Sequence, residues 1–187
     1  MNLELVLGPA TEPVTLTEAK VHCRVDGSDE DTAISLLITQ AREWVERFTR
    51  RALVTQTWRG WLPAFPNGLG KWGYAIEIPK APVTTIASVK YIDTAGDLQT
   101  LDSAAYALSA KSHNRFPRVV LAYGQAWPAT REDENAVQVE FVAGYTDAAA
   151  VPASLRQTVL LHVGWHYEHR EMETFGAAGE GVWGQME

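Results

Sequence analysis

The sequence contains only one cysteine, Cys23, in 187 residues, which excludes an internal disulfide framework. It also lacks an uninterrupted apolar run long enough to cross a bilayer. Residues 1–13 lack the basic segment that precedes the apolar part of a secretory signal, so none is expected. Basic residues are few, with 16 Lys and Arg against 23 Asp and Glu and a net charge of −7. Without a basic stripe, tight binding of nucleic acid through phosphate neutralisation is disfavoured.

The composition is otherwise that of an ordinary globular protein, with 46% hydrophobic and 21% charged residues, in a chain long enough to bury a core. The negative charge is unevenly placed, because the last twenty residues hold one Lys or Arg against five Asp and Glu, a net −4. Residues 172–187 are acidic and glycine-rich, and we expect a tail that is disordered in isolation. Phe175 and Trp183 in this tail are either incidental or anchors for a partner.

Ser28–Arg51 carries the clearest helical signal, because its apolar residues recur at helical spacing in one wide stripe. The stripe consists of Ile34, Leu37, Ile38, Ala41, Trp44, Val45 and Phe48. Ser28 with Asp31 has the form of a capping box, and acidic residues at the start and arginines at the end complement the helix dipole. We therefore predict one long helix that serves packing and docking rather than chemistry.

Two further helices are predicted on either side of a central region. Thr15 forms a capping box with Glu18 and begins a short helix, which the turn 26–28 joins to the long helix in a hairpin. A last helix is predicted over 151–170, with proline near its first position. Its apolar residues spread around much of the circumference, which indicates neighbours on several sides, some of them in other subunits.

The central region has the periodicity of strands. About seven short alternating runs between turn signals are typical of a small antiparallel sheet or sandwich. The predicted fold class is α+β, with a helical hairpin and a C-terminal helix forming a small bundle around an inserted antiparallel β-region. The expected segments are an extended N-terminal arm at 1–13, a helical core at 14–52 and 150–171, the β-insertion at 53–149, and the flexible tail at 172–187.

His162, His166 and His169 form the one set of residues that suggests chemistry, because spacings of four and three place them on one helix face. Two histidines four apart can share a zinc ion, and Glu168 or Glu173 would complete the shell in that interpretation. The histidines also continue a stripe of apolar positions, and no HExxH pattern is present, which favours packing over metal binding. We expect neither a metal nor a cofactor.

Other candidate sites have weaker support. Cys23 lacks an activating neighbour and is expected to be a small core residue. The glycine-rich loop 68–73 lacks the ending of a phosphate-binding loop, and the acidic run 132–134 is typical of a solvated loop. Four aromatic residues are able to stack on a sugar or base: Trp58, Trp61, Trp72 and Tyr74. Packing in a sheet core is the commoner use of such residues.

A series of short segments occurs in an order that is specific as a whole. The first are P-V-T-L-T-E-A-K at 13–20 and R-R-A-L-V-T-Q-T-W at 50–58. The later ones are Y-G-Q-A-W-P at 123–128, V-x-V-x-F-V-A-G-Y at 137–145, V-P-x-x-L at 151–155 and Y-E-H-R-E at 167–171. The series resembles the phage head–tail connector family, the portal adaptor or head-completion proteins of long-tailed phages, prophages and gene transfer agents. The resemblance covers roughly residues 13–171, and no segment in it is catalytic.

This resemblance implies a structural, non-enzymatic protein of the virion neck, present in the host cytoplasm during assembly. Such proteins form a ring, expected to be twelve-fold, beneath the portal protein. The ring extends the channel for double-stranded DNA, without sequence-specific binding, and offers a platform for the next neck or tail-completion (stopper) protein. No membrane is involved. Because the C-terminal segment in this family tends to reach toward the portal, the predicted portal-binding residues are Phe175 and Trp183.

The wide apolar stripe of the long helix and the apolar circumference of the last helix suit side-by-side packing of subunits in a ring. Subunit contacts that close head to tail make such cyclic assemblies. The predicted subunit-interface residues are Arg50, Arg51, Trp165 and Tyr167. Two alternatives remain open at this point. One is a metal-dependent enzyme that uses the histidine stripe, and the other is a carbohydrate-binding tail module that uses the tryptophans.

Overall fold

The computed structural model describes residues 1–66, 68, 74–109 and 116–169, and this part of the chain forms two compact units. The β unit consists of Met1–Thr11 and Glu46–Val151, and the helical unit consists of Glu12–Val45 and the described chain from Pro152 on. Three helices and eight strands are found in the described residues, which confirms the predicted α+β class. None of the described helices combines the length and apolar character required to cross a membrane.

The helical unit begins with the predicted capping box. The Thr15 hydroxyl accepts a hydrogen bond from the Glu18 backbone N–H at 3.1 Å, and the Glu18 carboxylate accepts one from the Thr15 backbone N–H at 2.7 Å. These two bonds satisfy backbone donors that the first turn of a helix leaves unpaired. Helix α1 (Leu16–Cys23) follows, and it ends at Arg24, which has left-handed backbone angles.

The long helix, α2 (Asp31–Thr49), begins three residues later than the predicted start at Ser28. The Asp31 carboxylate accepts a hydrogen bond from Lys20 Nζ at 2.6 Å, so it is used in an ion pair rather than in the predicted capping box. At the other end, the left-handed backbone of Arg50 stops the helix before the predicted end at Arg51.

The core of the helical unit is apolar and draws on all three helices, including α3 (Ala153–Glu168). Its buried residues are Val14, Ala19, Ile34, Ile38, Ala41, Val45, Val159 and Val163. The apolar stripe of α2 is wider than this core, because Trp44 and Phe48 remain 47% and 76% exposed. Exposed aromatic residues on a helix mark a surface with capacity for a further contact.

The described residues of the β unit form two antiparallel sheets. Their strands are β1 (Asn2–Leu7), β2 (Gln56–Leu62), β3 (Ala75–Glu77), β4 (Val83–Ile92), β5 (Leu98–Thr100), β6 (Tyr106–Ser109), β7 (Arg118–Leu121) and β8 (Val137–Ala143). The five-stranded sheet has the order β1-β2-β8-β4-β5, and the three-stranded sheet has the order β3-β7-β6. Strand β8 is central, and its alternating buried residues are Val137, Val139, Phe141 and Ala143.

Strand β1 lies within the segment expected to be an extended arm. Asn2–Leu7 pairs with β2, with Leu3 opposite Gly60, so the segment is an edge strand of the larger sheet. This pairing joins parts of the chain about fifty residues apart, which local periodicity does not reveal. It accounts for eight strands where about seven were expected.

Candidate functional site

Helices α2 and α3 present a connected set of aromatic rings, here called the aromatic face. Its members are Trp44, His162, Trp165, His166 and His169. Trp44 meets His162 edge to face with ring centroids 4.7 Å apart, and His162 stacks on His166 at 4.5 Å. Trp165 contacts His166 edge to face at 4.8 Å and stacks on His169 at 4.9 Å. Because Trp165 is 46% exposed, the face offers aromatic surface to a partner.

The three histidines do not converge on one point. His162 and His166 stack on each other, whereas the ring of His169 lies against Trp165 and its Nδ1 is 2.9 Å from the Trp165 carbonyl oxygen. Within the described residues, no group of three or more His, Cys, Asp and Glu side chains is arranged to hold a metal ion. Burial of the ring and the neighbouring His166 hold the pKa of His162 below its usual value.

A groove of about 310 Å³ lies beside the aromatic face. It is lined by Ala33, Leu36, Leu37, His166, Tyr167 and His169. Leu36 is 68% exposed, although it is a large apolar residue in the middle of a helix. Sequence reasoning did not single it out, because it falls outside the apolar stripe. Its position outside the stripe could have identified it as a contact residue, because an isolated leucine on the polar side of a helix contributes nothing to the core of its own subunit.

The four residues predicted for the subunit interface lie in different environments. Trp165 is exposed on α3, whereas Tyr167 is half-buried with its hydroxyl hydrogen-bonded to the Glu30 carboxylate. In the β unit, Arg50 is exposed, and Arg51 is half-buried with its guanidinium 3.3 Å from the Tyr145 hydroxyl. Trp165 and Arg50 are therefore the more accessible members of the set.

Of the aromatic residues considered for sugar binding, Trp58 has a clear structural role. The indole N–H of Trp58 donates to the Gln56 side chain at 3.1 Å, and Lys80 Nζ lies 4.4 Å from the centroid of the Trp58 ring. A lysine in that position covers the ring face that a sugar would stack on. Trp61 is half-buried, and Tyr74 is exposed. Trp72 lies outside the described residues.

Two further predictions concern a thiol and the tail. Cys23 is half-buried, and burial together with the nearby Glu168 charge raises the pKa of its thiol. A raised pKa lowers the thiolate fraction, so this environment does not activate a nucleophile. The predicted portal-binding residues Phe175 and Trp183 lie outside the described residues.

Comparison with known proteins agrees with these features. Residues 13–95 match the family of phage gp6-like head–tail connector proteins. No curated protein matches the chain.

Solved structures resemble nearly the whole chain. A chain in the neck of an empty gene transfer agent (GTA) particle, computed with C6 symmetry, has a TM-score of 0.76 at 26% identity, over 91% of this chain and 86% of that one. A chain in the virion of a native gene transfer agent particle has a TM-score of 0.75 at 27% identity, with coverages of 92% and 87%. A chain in the neck of a native particle, computed with C12 symmetry, has a TM-score of 0.74 at 25% identity, with coverages of 91% and 85%.

The family match begins just before α1 and extends through β4, whereas the structural likeness covers 91% of the chain. The exposed aromatic face fits a protein that works through contacts. Over residues 13–95 the chain is similar to the phage head–tail connector family, and nearly its whole length is similar to chains of gene transfer agent particles.

Proposed function

We propose that the chain is a structural, non-enzymatic protein of the virion neck that forms a twelve-fold ring beneath the portal protein. The observation that carries the proposal is the likeness to neck chains, which covers 91% of this chain with a TM-score of 0.76. Related necks computed with C6 and with C12 symmetry support a cyclic arrangement of copies. A cyclic ring needs two different surfaces on each subunit, one for each neighbour.

The aromatic face supplies a suitable surface for one of these contacts. Tryptophan, tyrosine and arginine are the residues that most often dominate binding energy at protein interfaces. The interface residues in this proposal are Arg50, Arg51, Trp165 and Tyr167. Trp165 contributes exposed aromatic area, and Arg50 contributes an exposed positive charge for an acidic residue of the neighbouring copy.

The ring in this proposal extends the channel through which double-stranded DNA passes. A net charge of −7 suits a passage in which DNA must move without adhering to the wall. The side away from the portal serves as the platform for the next neck or tail-completion (stopper) protein. Toward the portal, Phe175 and Trp183 act as the aromatic anchors of an acidic, glycine-rich segment.

Binding to isolated portal rings tests this function. The full chain is expected to bind the rings and to appear in electron micrographs as a cyclic layer of twelve copies. A chain ending at residue 171 is expected to keep its circular dichroism spectrum and lose docking, because it lacks both anchors. Failure of the full chain to bind portal rings would refute the neck function. Normal docking of the shortened chain would refute only the role of the tail.

A further inference from the structure

The outer side of α1 carries an exposed apolar residue between two polar ones. Thr17, Val21 and Arg24 follow one another at spacings of four and three, and all three line one open cavity of about 490 Å³. These residues are here called the α1 stripe. Val21 is 74% exposed, although it is a large apolar residue. Among the described residues, no acidic side chain forms an ion pair with Arg24. The α1 stripe therefore offers apolar surface, a positive charge and space.

The outer side of α3 has the same spacing. Leu161, Trp165 and Glu168 lie four and three positions apart, and they are here called the α3 stripe. Leu161 is 58% exposed, Trp165 is 46% exposed, and Glu168 is exposed at the last position of the helix. In the part of the chain that the structure describes, no basic side chain forms an ion pair with Glu168. A negative charge at this end of a helix is opposed by the helix dipole, so Glu168 gains from a positive partner.

We infer that the α3 stripe of one copy packs on the α1 stripe of a second copy. When the two stripes run in the same direction, Trp165 lies against Val21 of the second copy and Glu168 pairs with its Arg24. The cavity beside Val21 gives space for the indole ring. Tryptophan and arginine are the residues that most often dominate binding energy at interfaces.

The common direction of the two stripes follows from the subunit itself. Glu18 near the start of α1 pairs with Arg156 near the start of α3, and His22 lies against Gly164 further along both helices. The two helices are therefore parallel within one copy. In a twelve-fold ring, a point that rests on the proposed function, neighbouring copies differ by a rotation of about 30°. The α3 helix of one copy and the α1 helix of the next consequently remain close to parallel.

A second copy is favoured over a different protein because both complementary surfaces belong to the same chain. The apolar position of each stripe matches that of the other, and the two charges have opposite signs at the matching position. The stripes lie on different helices, so the contact is head to tail and leaves each copy able to bind a further one. Similar chains occur in necks computed with C6 and with C12 symmetry, which places copies of one chain side by side in those particles.

Methyl NMR of the free, full-length chain tests the contact without a portal, because no portal residue takes part in it. The Val21 methyl resonances are expected to shift as the protein concentration rises toward about 1 mM, since the Trp165 ring of a second copy covers them. R24E and E168R are each expected to weaken the association at least about threefold, because the ion pair becomes a repulsion. The double variant R24E/E168R is expected to restore it, because the two charges are exchanged.

The control is R47E, which changes the net charge as R24E does, at an exposed residue outside both stripes. Recovery of the Val21 shift in the double variant, with a normal shift in R47E, supports the inference. A Val21 resonance that does not depend on concentration overturns it. A loss in E168R that the double variant does not recover also overturns it, since the α3 stripe then has a different partner. Equal weakening by R47E and R24E overturns it as well, because net charge would explain both.

Binding to portal rings is measured separately from this contact. A chain that binds portal rings as a layer of twelve copies but shows no shift of Val21 refutes only the pairing of the two stripes. A chain that does not bind portal rings refutes the neck function, and the charge exchange between positions 24 and 168 still decides the pairing. The two proposals can therefore fail separately.

Discussion

Trp44 on α2 meets His162 on α3 edge to face, with ring centroids 4.7 Å apart and planes at 82°. This geometry directs the edge of one ring toward the face of the other, an arrangement favoured by aromatic quadrupoles. We expect W44A to lower the free energy of unfolding by about 1–2 kcal/mol, because the variant loses both the ring pair and the burial of about half of the indole. Chemical denaturation measures the change. The control is Y123A, at a side chain that is 105% exposed, and a comparable loss there would contradict the assignment.

The pKa of His162 predicts a pH dependence of stability. Burial and His166 lower this pKa below the ordinary value of 6.5, so the folded chain takes up the proton less readily than the unfolded chain. Well above that value both states are neutral at this position and it contributes nothing. As the pH falls below it, the unfolded chain binds more protons and folding is weakened.

Variant H162Q removes this proton-binding difference. Its free energy of unfolding is expected to fall less between about pH 7.5 and about pH 5 than that of the wild-type chain. Denaturation curves at several pH values give the two slopes. Equal slopes for H162Q and wild type would show that other groups control the acid sensitivity.

The capping box of α1 is expected to contribute measurably to stability. T15A removes the hydroxyl that accepts the hydrogen bond from the Glu18 backbone N–H, and loss of such a cap costs about 1 kcal/mol. The nearby T17A serves as the control, because Thr17 is exposed on the helix and alanine has the higher helix propensity. Thermal unfolding should show a lower midpoint for T15A only. A change of equal size in both variants would argue against a specific cap.

Gly144 follows the central strand in a conformation that excludes side chains. Its φ is +118°, and a Cβ at this position would lie 2.1 Å from the carbonyl oxygen of Val54. G144A is therefore expected to lower the free energy of unfolding by more than about 3 kcal/mol. The backbone near Val54 must move, and the alanine must adopt a strained φ angle. G124A is the matched control, since Gly124 also has positive φ, +78°, but has open space around it. Similar stabilities of the two variants, measured by denaturation, would contradict the steric explanation.

Arg50 allows a clean test of the proposed subunit contact. Reversal of Arg51 would disturb the hydrogen bond to Tyr145, whereas Arg50 is exposed and can be changed with less effect on the β unit. R50E is expected to weaken ring assembly on portal rings roughly tenfold or more, because an attractive charge becomes repulsive. Sedimentation with portal rings measures assembly. The control is R47E, which also reverses an exposed charge, in the last turn of α2, but at a residue outside the proposed subunit contact. Normal assembly of R50E would remove Arg50 from the interface.

Much of the secondary structure followed from local pattern. The helical spacing in α2, the capping box of Thr15 and the alternation in β8 were all readable, because each depends on residues close together in the chain. The start of α2 was misplaced, because Lys20 takes the carboxylate that a local pattern assigns to the cap. The role of β1 was also missed, since its partner strand lies far along the chain.

The interior polar contacts required the tertiary structure as well. Glu46 lies at the end of the apolar stripe of α2 and is nevertheless buried. Its carboxylate accepts hydrogen bonds from the Leu53 backbone N–H and from the Gln56 side chain, both at 2.7 Å. A buried carboxylate is stable only when it is hydrogen-bonded in this way. Which charged residue finds such partners depends on the path of the chain after the helix, which no helical pattern contains.

The sequence by itself determined the α+β class, the helices on either side of the β region, and the ordered segments that resemble the head–tail connector family. Only the tertiary structure decided which apolar residues remain exposed outside the core. Periodicity assigns Trp44 to a stripe and leaves out Leu36, but only the tertiary structure shows that both are exposed and that Leu36 lines a groove with residues of α3. The physical reason is that burial depends on what lies opposite a side chain, and that neighbour comes from a distant part of the chain.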